Sequence, residues 1–226
     1  MIEKDYEMIV RIFEEYESLY KVLLNKVEDI GNETVLWSNS YLELYPYQYE
    51  LNQLPKPKIY KNEPKCKEGI IVNRLKNNEL YFSYCAENKG WGSSFIINDV
   101  EKKICLRFLN NDDDEMVLSQ VYCVIYKRSV IEKVIYYTRD DDIGEETFRT
   151  DRYLYNDNNT IQTIIRDGFF EEKINVLHTR TFRFEYVNGD VLIYSKQLKK
   201  NLKVVEDLLY TSRKSKKKLN SDIRDR

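Results

Sequence analysis

The chain has 226 residues, of which 42% are hydrophobic and 33% charged, a composition that excludes an extended disordered protein. No apolar run approaches the roughly 18 residues that a membrane-spanning helix needs. The acidic first residues also lack the basic and apolar stretches of a secretory signal. We therefore expect one domain over residues 1–226, in the cytoplasm and not in a membrane.

The net charge of −2 is unevenly distributed along the chain. The stretch from Lys199 to Arg226 carries +6, so the preceding residues carry −8. Phosphate neutralisation needs clustered Lys and Arg, so an acidic body argues against nucleic-acid binding. The basic run Arg213–Lys218 could touch nucleic acid or an anionic surface, or it could simply be a solvated chain end.

Residues 1–30 predict one amphipathic helix. Apolar residues recur at spacings of three and four, with Glu and Lys between them, from Tyr6 to Ile30. Gly31 and Asn32 supply a stop. Such a stripe predicts packing on the protein's own core, with display to a partner as the alternative.

Residues 32–68 form a connection rich in proline and tyrosine. All four prolines lie between Pro46 and Pro64, and proline removes backbone donors, which excludes a central strand or a long helix. We expect this connection to lie across the sheet, anchored by its aromatic residues. The piece near 35–44 is compatible with either a helix or a strand.

Residues 69–197 predict an antiparallel meander. Phe182, Phe184 and Tyr186 alternate with polar residues, and Asn188-Gly189 then predicts a tight hairpin. A two-residue turn there pairs Tyr186 with Val191 and Phe184 with Ile193. Four further candidate turns have the same apolar flanks: 76–78, 99–101, 127–129 and 156–159.

The segment 122–126 and the segment 130–137 are apolar on both faces, which predicts positions in the middle of the sheet or under a helix. Residues 198–210 return to helical spacing, and the polar chain beyond them is expected to fray at its end. The predicted fold class is therefore mainly β (α+β). It is an antiparallel meander sheet of about eight to ten strands, with an N-terminal amphipathic helix and a short C-terminal helix.

Catalytic and metal-binding motifs are not found in the sequence. There is one histidine, His178, in or near a predicted strand, and no glycine-rich phosphate loop. The four cysteines contain no C-x-x-C pair, so we interpret them as reduced core residues. We expect no cofactor, no metal site and no enzymatic activity.

Two acidic loops and one tryptophan are the candidate contact residues. Charge this dense keeps a loop solvated, and it also attracts a basic partner. A calcium loop starting at Asp140 is a further alternative, but the EF-hand spacing fails. Trp91, between two glycines, could anchor a contact or fold back onto the sheet. The candidates are Trp91, Asp112, Asp113, Asp114, Glu115, Asp140, Asp141, Asp142, Glu145 and Glu146.

The hairpin units at 153–161 and 184–191 resemble the repeated strand–turn–strand units of immunity and antitoxin-like proteins of bacterial polymorphic toxin systems. The resemblance covers residues 69–196, and the glycine expected in each turn is found only at Gly189. It implies a cytoplasmic protein that neutralises a toxin by stoichiometric binding, with the acidic loops and the aromatic strands as the contact surface. The alternatives are a small-molecule or lipid carrier with an aromatic cavity, and an enzyme with a carboxylate- or tyrosine-based site. The oligomeric state is left open.

Overall fold

The computed structural model describes residues 2–28, 33–111, 113–140, 145–170, 175–198 and 203–212, without the side chains of 140, 170 and 175–178. The helices are α1 (Ile2–Tyr16), α2 (Tyr20–Glu28) and α3 (Gln48–Leu51). The strands are β1 (Thr34–Ser38), β2 (Ile59–Tyr60), β3 (Ile71–Lys76), β4 (Glu79–Cys85), β5 (Gly92–Asn98), β6 (Lys102–Asn110), β7 (Met116–Lys127), β8 (Val130–Asp140), β9 (Glu145–Tyr155), β10 (Ile161–Phe170), β11 (Asn175–Val187), β12 (Asp190–Leu198) and β13 (Val204–Thr211).

One antiparallel sheet contains all thirteen strands, in the order β13 to β3 and then β1 and β2. The predicted mainly antiparallel β fold is confirmed, but the predicted strand number is too low. Residues 69–197 supply ten strands, β1 lies in the piece that was compatible with either a helix or a strand, and β2 and β13 come from segments that were not predicted as strands. None of the described helices combines the length and apolarity that crossing a membrane requires.

The five predicted turns join the strands as expected, and positive φ angles explain the residue types of two of them. Asn77 and Asn78 have φ of 52° and 64°, and Asn188 and Gly189 have φ of 52° and 81°. Asn and Gly adopt this left-handed region most readily. The predicted hairpin register is confirmed, since Tyr186 pairs with Val191 and Phe184 with Ile193.

The predicted N-terminal helix is broken into two, α1 and α2, by a turn at residues 17–19. The apolar stripe continues across the break because both helices use the same side, so its spacing gave no sign of the turn. Ile9, Phe13, Leu23 and Val27 are buried against the sheet, which confirms that the stripe packs on the protein's own core. Gly31 and Asn32, the predicted stop, lie outside the described residues.

The predicted C-terminal helix is wrong: Val204–Thr211 is strand β13, paired with β12 from Leu198↔Val204 to Leu192↔Thr211. Of the spacings in this short run, only the spacing of four fits a strand as well as a helix, because i and i+4 share a face of a strand whereas i and i+3 do not. The segment forms a strand because it pairs with the edge of β12 that β11 leaves free. Leu202, one of the residues that gave the helical spacing, lies outside the described residues.

The sheet curves around the proline- and tyrosine-rich connection, whose residues 39–58 we call the strap. Eleven strand spacings from β1 to β13 would extend about 53 Å in a flat sheet. The twelve residues from Ser38 to Glu50 reach at most about 40 Å. Yet α3, within the strap, packs directly against β13. The sheet is therefore strongly curved, and the strap lies on its concave face.

The core accordingly has two parts, one on each face of the sheet. The first lies between α1, α2 and the sheet and includes Cys123 and Ile135. The second lies between the strap and the other face and includes Val124 and Val134. Neighbouring residues on β7 and β8 thus point into different halves of the core, which confirms that both strands are buried on both faces.

Candidate binding site

The meander places the candidate contact residues at one end of the sheet. Connections between successive antiparallel strands alternate between the two ends, so the β4–β5, β6–β7 and β8–β9 connections share an end. These connections contain Trp91, the loop at 112–115 and the loop at 141–144. We call this the acidic end. Neighbouring connections there are two strands apart, or about 10 Å.

In the β6–β7 loop, hydrogen bonds hold the backbone of residues 113–115, whereas Asp112 lies outside the described residues. The side-chain oxygen of Asn111 accepts hydrogen bonds from the backbone N–H groups of Asp113 (3.1 Å) and Glu115 (2.7 Å). Asp114 is in the left-handed region with φ of 61° and accepts from the Asn110 amide at 2.9 Å. The side chains of residues 113–115 are all exposed. A loop fixed in this way loses little entropy on binding.

The second acidic loop is only partly described. β8 ends at Asp140 and β9 begins at Glu145, whose side chain is exposed. Asp141 and Asp142 lie outside the described residues, as does the side chain of Asp140. The end of β8 and the start of β9 lie at the acidic end.

Glu146 has a structural role that its sequence neighbours did not indicate. Its two carboxylate oxygens accept hydrogen bonds from the hydroxyls of Tyr6 on α1 (2.8 Å) and Tyr137 on β8 (2.9 Å). Burial, together with this carboxylate, raises the pKa of Tyr6 to about 12. Glu146 therefore fastens α1 to the sheet, and the contact with a partner that we predicted for it stays a prediction.

Trp91 ends a short 3-10 turn, Lys89–Trp91, directly before β5. The Asn88 side chain accepts from the backbone N–H of Gly90 at 2.8 Å and starts this turn. The indole is 51% exposed. A half-exposed tryptophan on a fixed turn is available for contact with a partner.

The most elaborate polar network lies under the strap, and we did not predict it. Arg166 on β10 donates two hydrogen bonds to the fully buried Asp151 on β9, at 2.7 and 2.8 Å. It also donates to the Leu51 carbonyl and the Asn52 side chain of the strap, at 3.3 and 3.2 Å. Arg149 donates to the same Asn52 oxygen at 3.0 Å. The network joins the strap to the middle of the sheet.

Alternating polar residues in a strand usually indicate a solvent face, which is why these arginines gave no clear signal. Gly168 could have indicated that the chain is closely packed near Arg166, because glycine inside a strand often marks a close backbone approach. A Cβ on Gly168 would lie 2.1 Å from the Phe148 carbonyl oxygen. The pairing of β10 with β11 is irregular between Arg166 and Gly168.

The residues considered for catalysis are not brought together into a site. Burial raises the pKa of Cys105 and of Cys123 to about 11, which keeps these thiols protonated and unreactive. His178 lies within β11, and its side chain is outside the description. Among the described residues, no three His, Cys, Asp or Glu side chains form a group that could hold a metal ion.

The strap occupies the concave face of the sheet, where a ligand carrier would need a cavity. Tyr45 and Leu51 of the strap are buried there against strands β6 to β12. The open grooves elsewhere on the surface have volumes from about 190 to about 550 Å³. The groove of about 550 Å³ lies at the end opposite the acidic end, next to Val100 and Arg128.

Comparisons with known proteins found no protein-family model, no curated protein and no solved structure that matches this chain.

Proposed function

We propose that this protein is a protein-binding module, and that the acidic end of its sheet binds the basic surface of a partner protein. The observation that supports this proposal is the shared position of Trp91 and the two acidic loops. An exposed aromatic residue beside concentrated charge combines the two features that give affinity and fast association.

The resemblance of the hairpin units extends the proposal to the class of partner. We infer that the partner is a toxin and that the protein is a cytoplasmic immunity protein that neutralises it by stoichiometric binding. The filled concave face favours this function over the small-molecule or lipid carrier, since a carrier needs an enclosed apolar volume.

The first experiment is an affinity pull-down of the tagged protein from its native lysate at low and high salt, with mass spectrometry of the eluate. We expect one stoichiometric partner with a basic surface, lost as salt screens the charges. Cells that express this partner should grow only when the protein is co-expressed. Elution without a protein partner would contradict the proposal.

A charge-matched pair of variants then tests the acidic end itself. Replacing Asp112, Asp113 and Asp114 by Asn should weaken partner binding by roughly tenfold, mainly through slower association. The control variant, Glu79→Gln with Glu101→Gln and Asp157→Asn, removes the same charge at the opposite end and should retain affinity. Equal affinities for the two variants would remove the 112–115 loop from the interface.

A further inference from the structure

The two edges of the sheet differ in their capacity to pair with another strand. At one edge, β2 has only two residues and follows Pro55 and Pro57. Proline and short length are common means of blocking an edge. At the other edge, β13 has eight residues without proline or glycine, and in the part of the chain that the structure describes it pairs with β12 alone.

Apolar side chains are exposed along this edge. Val204 is 58% exposed and Leu208 is 52% exposed, and both belong to strand β13. An unpaired strand of this length with exposed apolar side chains is a template for an added strand.

A groove of about 420 Å³ lies beside β13, between the strap and Leu209 and Tyr210. Its strap side is formed by Glu50, Gln53, Leu54 and Lys56. Glu50 is 94% buried, with a relative exposure of 6%. Its Oε1 lies 2.6 Å from the Lys56 ammonium, whereas its Oε2 has no hydrogen-bond donor among the described residues.

In the part of the chain that the structure describes, carboxylates outnumber ammonium groups around this groove. Burial raises the pKa of Glu43, and the negative charge of the nearby Glu50 raises it further. Lys56 is the cation that faces both carboxylates, and its side chain is 55% exposed. Among the described residues, two carboxylates therefore face one ammonium, and the buried Glu50 carboxylate would attract a further cation that enters the groove.

We propose that the free edge of β13 binds an extended segment of a partner protein as an added strand, with a lysine or arginine side chain of that segment in the groove beside Glu50. Strand addition supplies backbone hydrogen bonds, and alternate side chains of the added strand point to the same face as Tyr210. The groove selects a basic side chain by charge complementarity. This site is separate from the acidic end and does not depend on its function.

The probe is a fluorescein-labelled peptide of about nine residues that alternates threonine and valine around a central lysine, a pattern suited to strand addition. Binding is measured by fluorescence anisotropy. There are two matched control peptides. One carries norleucine in place of the lysine, and the other carries methyl groups on alternate backbone nitrogens. Hydrogen exchange of the backbone amides of β13 with and without peptide locates the site.

We expect the lysine peptide to bind about tenfold more tightly than the norleucine peptide, and the N-methylated peptide not to bind. Glu50→Gln should remove the preference for lysine and leave the norleucine peptide unaffected. Lys56→Met should strengthen binding of the lysine peptide, since it removes the competing ammonium. The control Glu132→Gln, a remote exposed carboxylate, should change nothing.

Three results would overturn the proposal: no binding of the lysine peptide, equal binding of the lysine and norleucine peptides, or protection of a strand other than β13. The comparison of peptides uses the unaltered protein, so it remains decisive even if Glu50→Gln fails to fold.

Discussion

The ion pair between Arg166 and Asp151 gives the sharpest test of how the strap is held. Asp151 is fully buried, and Arg166 is 9% exposed. The guanidinium donates to both carboxylate oxygens, at 2.7 and 2.8 Å, and lies 4.9 Å from the centre of the Phe182 ring. Removing one member leaves the other as a buried charge, whose remaining partners compensate it only in part.

Asp151→Asn or Arg166→Met alone should lower the free energy of unfolding by about 3–5 kcal/mol, the usual cost of breaking a buried pair from one side. The double variant Asp151→Asn/Arg166→Met should lose less than the sum of the two single losses, by about 2 kcal/mol or more, because no uncompensated member of the pair remains. Urea denaturation followed by circular dichroism measures all three values.

The control is Lys127→Met, which removes one partner of an exposed pair with Glu132 at 3.5 Å. It should change the free energy of unfolding by less than about 1 kcal/mol. Additive losses in the double variant, or single losses no larger than that of the control, would refute the view that this pair is what fastens the strap.

Three further predictions concern single groups. Gly168→Ala should lower the free energy of unfolding by about 3 kcal/mol or more, since a Cβ 2.1 Å from a backbone oxygen forces β9 and β10 apart; Gly189→Ala, with open space but φ of 81°, should cost only about 1 kcal/mol in the same urea titration. Tyr153→Phe should leave stability unchanged or raise it by up to about 1 kcal/mol, because the buried Tyr153 hydroxyl has no partner among the described residues; a clear loss in thermal denaturation would contradict this. The pKa of Tyr6 is raised to about 12, so the stability that its neutral form contributes is complete below the unfolded value of about 10 and is lost as the pH rises through 12. Glu146→Gln should lower the pKa of Tyr6 and so shift this alkaline loss of stability to lower pH. The ionisation of Tyr6 is measured by the absorbance of tyrosinate.

Local signals in the sequence predicted the parts of the fold that depend on neighbouring residues. The Asn188-Gly189 turn fixed both its own conformation and the register of the strands beside it, because a two-residue hairpin permits only one pairing. The other four turns followed from the same reasoning. A meander of consecutive hairpins needs no long-range information, which is why the order of β3 to β12 could be predicted.

The features that depend on distant residues could not be predicted in this way. The assignment of Val204–Thr211 as a strand depends on the edge of β12, and the burial of Arg149 and Arg166 depends on a strap about 100 residues earlier in the chain. Glu146 looked like part of an acidic loop, and only the position of α1 shows that Tyr6 holds it. The sequence alone could have shown that Trp91 and the acidic loops belong to connections at the same end of the sheet, because successive hairpins alternate between the two ends.

The strap also determines which surfaces of the protein can bind a partner. A curved sheet most often takes its ligand on the concave face, but here that face is occupied by Tyr45, Leu51 and the buried arginines. A ligand entering there would have to displace the strap and leave Arg166 without its bonds to Leu51 and Asn52, at a cost of several kcal/mol before any contact of its own. Binding at the acidic end or along β13 displaces none of these groups. The interior of this sheet is therefore used for stability, and its end and its open edge remain for recognition.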